Sequence, residues 1–228
     1  MKRIDLEIAM AALLPSLMAY SLVGERFHEA AGTAAFFLFL LHHRSRRGGW
    51  NRAFFRGVHT PKRLFDAALD LLLLVWAVLQ PICGVLISKH LYTFVHISGL
   101  TSPAREAHLL LAHWGFLLLA VHTGSHLIPP IRRLTAKNGG KRAMFFVSAL
   151  WTAAALYGGP ALVRRRFADY LFRRAGFFFL DFDEPRIFFF LDSAAVFLLF
   201  AGIGALIAGA LIRPGGKKTS VPSKPERI

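Results

Sequence analysis

The sequence has one cysteine, Cys83, and it lies inside an apolar run. An internal disulfide is therefore excluded, and so is the C-x-x-C-H signature of covalent haem attachment. Acidic residues are also scarce, with 13 Asp and Glu against 28 Lys and Arg for a formal net charge of +15. There is no Gly-rich phosphate loop, no dinucleotide or flavin fingerprint, and no Ser, His and Asp arrangement of a recognisable nucleophile. These absences argue against a self-contained catalytic centre. Long polar stretches are missing too: 55% of the 228 residues are hydrophobic, 22 are Phe, and the mean hydropathy is +0.47.

What is present is a series of apolar runs near the length of a membrane span. Six are predicted, over about 8–23, 28–43, 65–88, 106–128, 143–163 and 187–212. The expectation is an all-α membrane protein whose first four spans form a haem-binding bundle over 1–130. Residues 131–212 would add two accessory spans joined by an interfacial aromatic and charged segment at 164–186, and 213–228 would be a disordered cytoplasmic tail. The first run lacks a small-x-small cleavage pattern and is read as a retained helix rather than a signal peptide. The fourth run is expected to stop at Pro129-Pro130, because proline cannot continue a regular helix.

The positive charge falls mainly between spans. Arg44, Arg46, Arg47, Arg52, Arg56, Lys62 and Arg63 form one basic loop, with Trp50 as an interfacial anchor and His59 as a solvated loop residue. Arg132, Arg133, Lys137, Lys141 and Arg142 form another. Such loops belong on the cytoplasmic side, which puts both termini there; nucleic acid is the weaker explanation of the charge. The arginines of 164–174 would then lie outside, against the bias.

Histidines punctuate two of the apolar runs. His28 and His42 are fourteen residues apart, and so are His108 and His122. At 100° and 1.5 Å per residue each pair shares a helix face, its members about 21 Å apart along the axis. Ionisable residues are costly in hydrocarbon and mark function by default. Because spans two and four run the same way, His28 would face His108 near the outer side and His42 would face His122 near the inner side. Two imidazoles from facing helices can hold a haem iron from both faces. Two such pairs predict two haem b groups stacked across the membrane. Gly32, Gly115 and Gly124 would let a macrocycle approach the backbone, as would Gly84 beside Pro81, although ordinary helix packing explains that last pair equally well.

Alternatives stay open at the inner site. His43 competes with His42, and His126, only about 40° from the face of His122, can replace it or meet a propionate or quinone. His113 is about 140° from His108 and leaves the ligand face. It is read with His90 and His96 as an interfacial residue without a ligand. A proton or divalent-metal transporter using the same histidines is the competing function. Asp66, Asp70 and Asp192 sit near helix ends, whereas a transporter would place carboxylates along its path.

The His28-Glu-x-x-Gly32 opening, His42 before an arginine-rich exit, His108, His122-x-x-x-His126, Tyr157-Gly, Asp169-Tyr170 and the Phe-Leu-Asp-Phe-Asp-Glu-Pro stretch at 179–185 together resemble the flavinylation-associated cytochromes. The resemblance runs through nearly the whole chain. It departs at His43, which follows His42 directly, and at Ser45, where the family carries Asn before an Arg-Arg pair. It implies a haem-b protein of the bacterial cytoplasmic membrane that passes electrons between the inner side or quinone pool and an extracytoplasmic redox partner, a flavoprotein or cytochrome. Such a chain would be an electron-transfer subunit of an oxidoreductase system, with the acidic segment from Asp181 to Glu184 as a docking surface.

Overall fold

The structure is a computed structural model that describes residues 3–45, 60–95, 97–137, 140–181 and 183–212. The stretch 46–59 with Trp50 and His59, the residue His96 and the tail from 213 lie outside the described residues. Everything regular among the described residues is helical, with no strand. In chain order the helices are α1 (Arg3–Met18), α2 (Tyr20–Val23), α3 (Glu25–Ser45), α4 (Pro61–Leu86), α5 (Thr101–Lys137), α6 (Lys141–Arg164), α7 (Phe167–Leu171) and α8 (Arg186–Leu211).

Four of these are long and apolar enough to cross a membrane: α4, the Thr101–Leu127 part of α5, α6 and α8. They carry their apolar residues outward as well as inward. Leu156 and Leu206, for example, are 73% and 75% exposed, as expected of rods whose solvent is lipid. The apolar stretch of α1, Ala9–Met18, is shorter. Helix α3 spans 21 residues, but Glu25, Arg26, Glu29, Thr33 and its histidines dilute its hydropathy. The fold is thus compatible with a multi-pass membrane protein carrying four candidate spans.

Local chemistry explains the boundaries. The first expected span is divided, with α1 and α2 separated at Ala19 four residues after Pro15. Gly24 then turns the chain with φ of +85°, a backbone open to glycine at little cost. Helix α4 opens with Thr60, whose hydroxyl accepts from the Arg63 amide at 3.3 Å, followed by Pro61 in the first helical position. One expectation fails: α5 does not stop at Pro129-Pro130 but continues to Lys137. Proline removes an amide and crowds the preceding turn, yet here the helical path survives both residues.

The last two long helices are not accessory. Helix α8 packs along α5 more extensively than any other pair of helices does, and α6 packs along α8 in turn. Glycines make this approach possible. A Cβ on Gly124 would lie 1.8 Å from the Ala201 carbonyl oxygen, and one on Gly204 would lie 2.2 Å from that of Val121. Between helices in lipid, such close backbone packing supplies the attraction that the hydrophobic effect supplies in water. Phe116, Leu117, Ala161, Phe167 and Val196 form the buried core of this group. Helix α4 completes it against α5, while α1 and α3 pack mainly on one another, α3 more sparingly on α4 and α1 on α8.

Candidate functional site

Two histidine clusters lie at opposite ends of α4 and α5. The end that carries the 87–100 loop is called upper below, and the other lower.

At the upper end the structure brings together His28, at the start of α3, and His108 of α5. Their ring centres are 6.1 Å apart and their planes are inclined by 73°. With metal to imidazole bonds of ~2 Å, two rings gripping one metal from opposite sides have centres about 6 Å apart. His28 Nδ1 is buried without a hydrogen-bond partner, and Tyr20 packs edge-on against the same ring at 5.2 Å. The His108 Nδ1 is 3.3 Å from the Gln80 carbonyl oxygen, so an N–H there can donate and fix the ring. Its Nε2 is 3.3 Å from Gln80 Nε2, which makes the Gln80 side chain the group that a metal would displace. Gly84 lies against the same ring, where a Cβ would meet Cε1 at 3.4 Å. The donor set and the orphaned nitrogen fit a two-imidazole grip on haem.

This end is held by carboxylates that sequence reasoning did not single out. The Glu29 side chain accepts from Ser88 Oγ at 2.7 Å and from the backbone amides of Lys89, His90 and Leu91 at 2.8, 3.2 and 2.8 Å. Glu25 accepts from Lys89 Nζ at 2.6 Å and lies 3.4 Å from His90 Nε2. The Thr33 and Tyr92 hydroxyls meet at 2.9 Å. Together these bonds fix α3 in register with the upper end of α4, one residue from His28. The Lys89 ammonium and the Tyr20 hydroxyl hold the Glu25 carboxyl down at about 2. The signal for Glu29 was its place beside His28; its partners, distant in sequence, gave none.

The lower cluster differs from the expected His42 and His122 pair. His122 lies beside His126, with ring centres 4.7 Å apart, and its Nδ1 is 3.2 Å from Asp70 Oδ1 of α4. Asp70, His122 and His126 each offer one ligand atom, all within 4.8 Å of one another. Asp70, placed near a helix end by the sequence, thus joins the histidines. Its signal was the spacing from Asp66, four residues apart and on one face of an apolar helix. His42 occupies the last turn of α3, half-buried, with its carbonyl accepting from Ser45 Oγ at 2.7 Å. His43 stacks on Phe39 at 5.9 Å.

Three of the glycines expected to make room for a macrocycle face protein instead. The space over Gly115 is filled by the Trp76 indole, which would lie 2.0 Å from a Cβ and donates to the Leu111 carbonyl at 2.8 Å. Gly124 faces Ala201, and Gly32 faces Leu17 at 3.8 Å. Only Gly84 borders a ligand candidate. His113 is not an interfacial tip but a core residue, 2% exposed, stacked on Tyr170 at 4.3 Å and bonded through Nδ1 to the Leu109 carbonyl. The acidic segment is partly used within the chain: Glu184 pairs with Arg165 at 2.6 Å and Asp181 accepts from the Asp183 amide. A cavity of about 210 Å³ between Glu106, Leu110, Tyr170 and Arg173 is lined by no histidine.

No family model matches the chain, and neither a curated protein nor a solved structure does.

Proposed function

We propose that the chain is a membrane b-type cytochrome, with a haem held between His28 and His108. The observation that carries this is the 6.1 Å spacing of the two rings across α3 and α5, beside an orphaned imidazole nitrogen and a glycine. Haem bound there would supply a reversible one-electron carrier. The chain's own part is to hold and tune it. Gln80 offers its carbonyl to orient His108, the kind of outer partner that fixes a ligating imidazole and raises its basicity. Glu29 locks the depth of His28 through the 88–91 loop. Gly84, lacking a side chain, lets the His108 ring lie against α4.

On this proposal α1 with α2, and α3, also traverse the bilayer, giving six spans in a bacterial cytoplasmic membrane with both termini inside. The upper end is then the outer one, where an extracytoplasmic partner such as a flavoprotein or cytochrome would meet the path that carries electrons to or from the inner side or the quinone pool. A second haem between His42 and His122, the pair that the fourteen-residue spacing suggests, would extend the path to the inner face only if His122 left Asp70.

The deciding measurement is a dithionite-reduced minus oxidised visible spectrum of the purified protein with its haem-to-polypeptide ratio. The proposal expects b-type bands that His28→Ala and His108→Ala each remove from the upper site. A colourless protein, or bands unchanged in both variants, refutes it.

A further inference from the structure

We propose that Asp70, His122 and His126 form a binding site for a first-row divalent cation of the zinc type, at the lower end of α4 and α5. Two imidazole nitrogens and a carboxylate oxygen make a borderline donor set suited to zinc and its neighbours. The spacing on α5 is His-x-x-x-His, which puts both rings on one helix face, and α4 contributes Asp70 across the helix interface. All three ligand atoms already lie within 4.8 Å of one another. Donors ~2 Å from one tetrahedral ion stand about 3.3 Å apart. His122 Nδ1 and Asp70 Oδ1 are at 3.2 Å, close to that spacing.

A second observation points the same way. His122 Nδ1 is buried and makes no hydrogen bond, although the Asp70 oxygen is within reach. A buried nitrogen left without a hydrogen bond beside a carboxylate oxygen is a donor that a metal ion can take up. Nearby charge permits a cation: Lys62 is paired with Asp66, one turn before Asp70. His126 is exposed, so water can fill the remaining coordination position and the ion has a way in. The ligands come from two packed helices, so the ion would act as a cross-link between α4 and α5 rather than as cargo on a path. It would also hold His122 toward α4 and away from α3, leaving one haem per chain.

The test loads detergent-purified full-length protein with Zn²⁺, removes free metal by gel filtration, and measures zinc and haem per polypeptide. The wild type is expected to retain one zinc per chain. Asp70→Asn and His126→Gln should each weaken binding by about a hundredfold, at or above the loss seen when only an outer-shell partner is removed, while His28→Ala leaves zinc unchanged. Thermal midpoints on the same samples guard against misfolding: zinc should raise that of the wild type and of His28→Ala but of neither cluster variant. Wild type that retains no zinc, or zinc retained equally by the cluster variants, overturns the proposal. So does a ratio of two haems with one lost in His122→Ala and zinc unaffected. A coloured protein without zinc refutes this site alone, whereas a colourless one that binds zinc here refutes only the cytochrome.

Discussion

Glu29 is the side chain on which the upper end most depends, and its removal has a size that can be worked out. Its carboxylate receives four hydrogen bonds, three of them from consecutive backbone amides at 89–91. A hydrogen bond to a charged acceptor contributes ~1.5–3 kcal/mol when protected. Residues 89–91 are exposed, so water competes, and about 0.5–1 kcal/mol for each bond is the fairer figure. Four such bonds amount to about 2–4 kcal/mol against local opening of the loop. Glu29→Ala should therefore speed amide exchange at 89–91 by about 30- to 1,000-fold, at 1.36 kcal/mol per factor of ten. Hydrogen exchange read by mass spectrometry on peptides covering 88–95 measures this directly. Glu25→Gln is the matched control, because it touches the loop through the Lys89 and His90 side chains and should leave those amides within a few-fold of wild type. If Glu29→Ala changes exchange by less than threefold, the carboxylate does not anchor the loop. If the cytochrome proposal holds, the same variant should also lose haem faster, since His28 is the next residue.

Other consequences follow from the packing and from charge. Gly124→Ala drives a Cβ to within 1.8 Å of a carbonyl oxygen on α8, a clash that no rotamer change relieves; overpacking of this kind costs about 1–3 kcal/mol or more. Thermal unfolding in detergent should fall by several degrees, whereas Gly159→Ala, which meets nothing within 4 Å, should hold or gain; equal midpoints would refute the close α5–α8 contact. The Glu25 carboxyl, held at about 2 by its Lys89 and Tyr20 bonds, lies below its unfolded value of 4.5. A depressed folded value gives stability that is present above 4.5 and lost as pH falls from there toward 2. Carbon-detected NMR of the Glu25 carboxyl should give a midpoint near 2, and a midpoint near 4.5 would show that the tie to Lys89 does not form in solution.

The helical character and the apolar rods were legible from length and hydropathy, because both follow from local pattern. The meeting of His28 with His108 agrees with two helices running the same way, but the same fourteen-residue interval also put His42 opposite His122, and there the structure sets His122 beside Asp70 and His126 instead. The proline stop failed because its signal is a local preference, and residues 129–137 remain helical despite it. The glycines misled for a different reason. Small residues announce a close approach but not what approaches, and Gly115, Gly124 and Gly32 received an indole, a backbone and a leucine. Asp70 was read by its place in the chain, near a helix end. Only the crossing of α4 with α5 shows that this end coincides with the turn carrying His122 and His126.

The arginines of the upper end were the anomaly in the charge pattern, and the structure gives them work that does not depend on topology. Asp192 is fully buried, with Arg165 Nε at 2.7 Å, Arg164 Nε at 3.0 Å and the Tyr157 hydroxyl at 2.8 Å. Arg166 pairs with Asp169 and Arg173 with Glu106. A carboxylate at full burial is tolerable only with such partners, since one left uncompensated costs about 3–5 kcal/mol. The bias that orients membrane proteins counts Lys and Arg in short loops whether or not they are paired, so pairing does not cancel these residues as topological signals. It does supply a reason for keeping them against the bias: Arg164 and Arg165 fasten the upper end of α6 to α8, and Arg173 fastens the segment after α7 to α5. The orientation proposal rests on the clusters of Lys and Arg at 44–63 and 132–142, between the expected spans, rather than on a count over the whole chain.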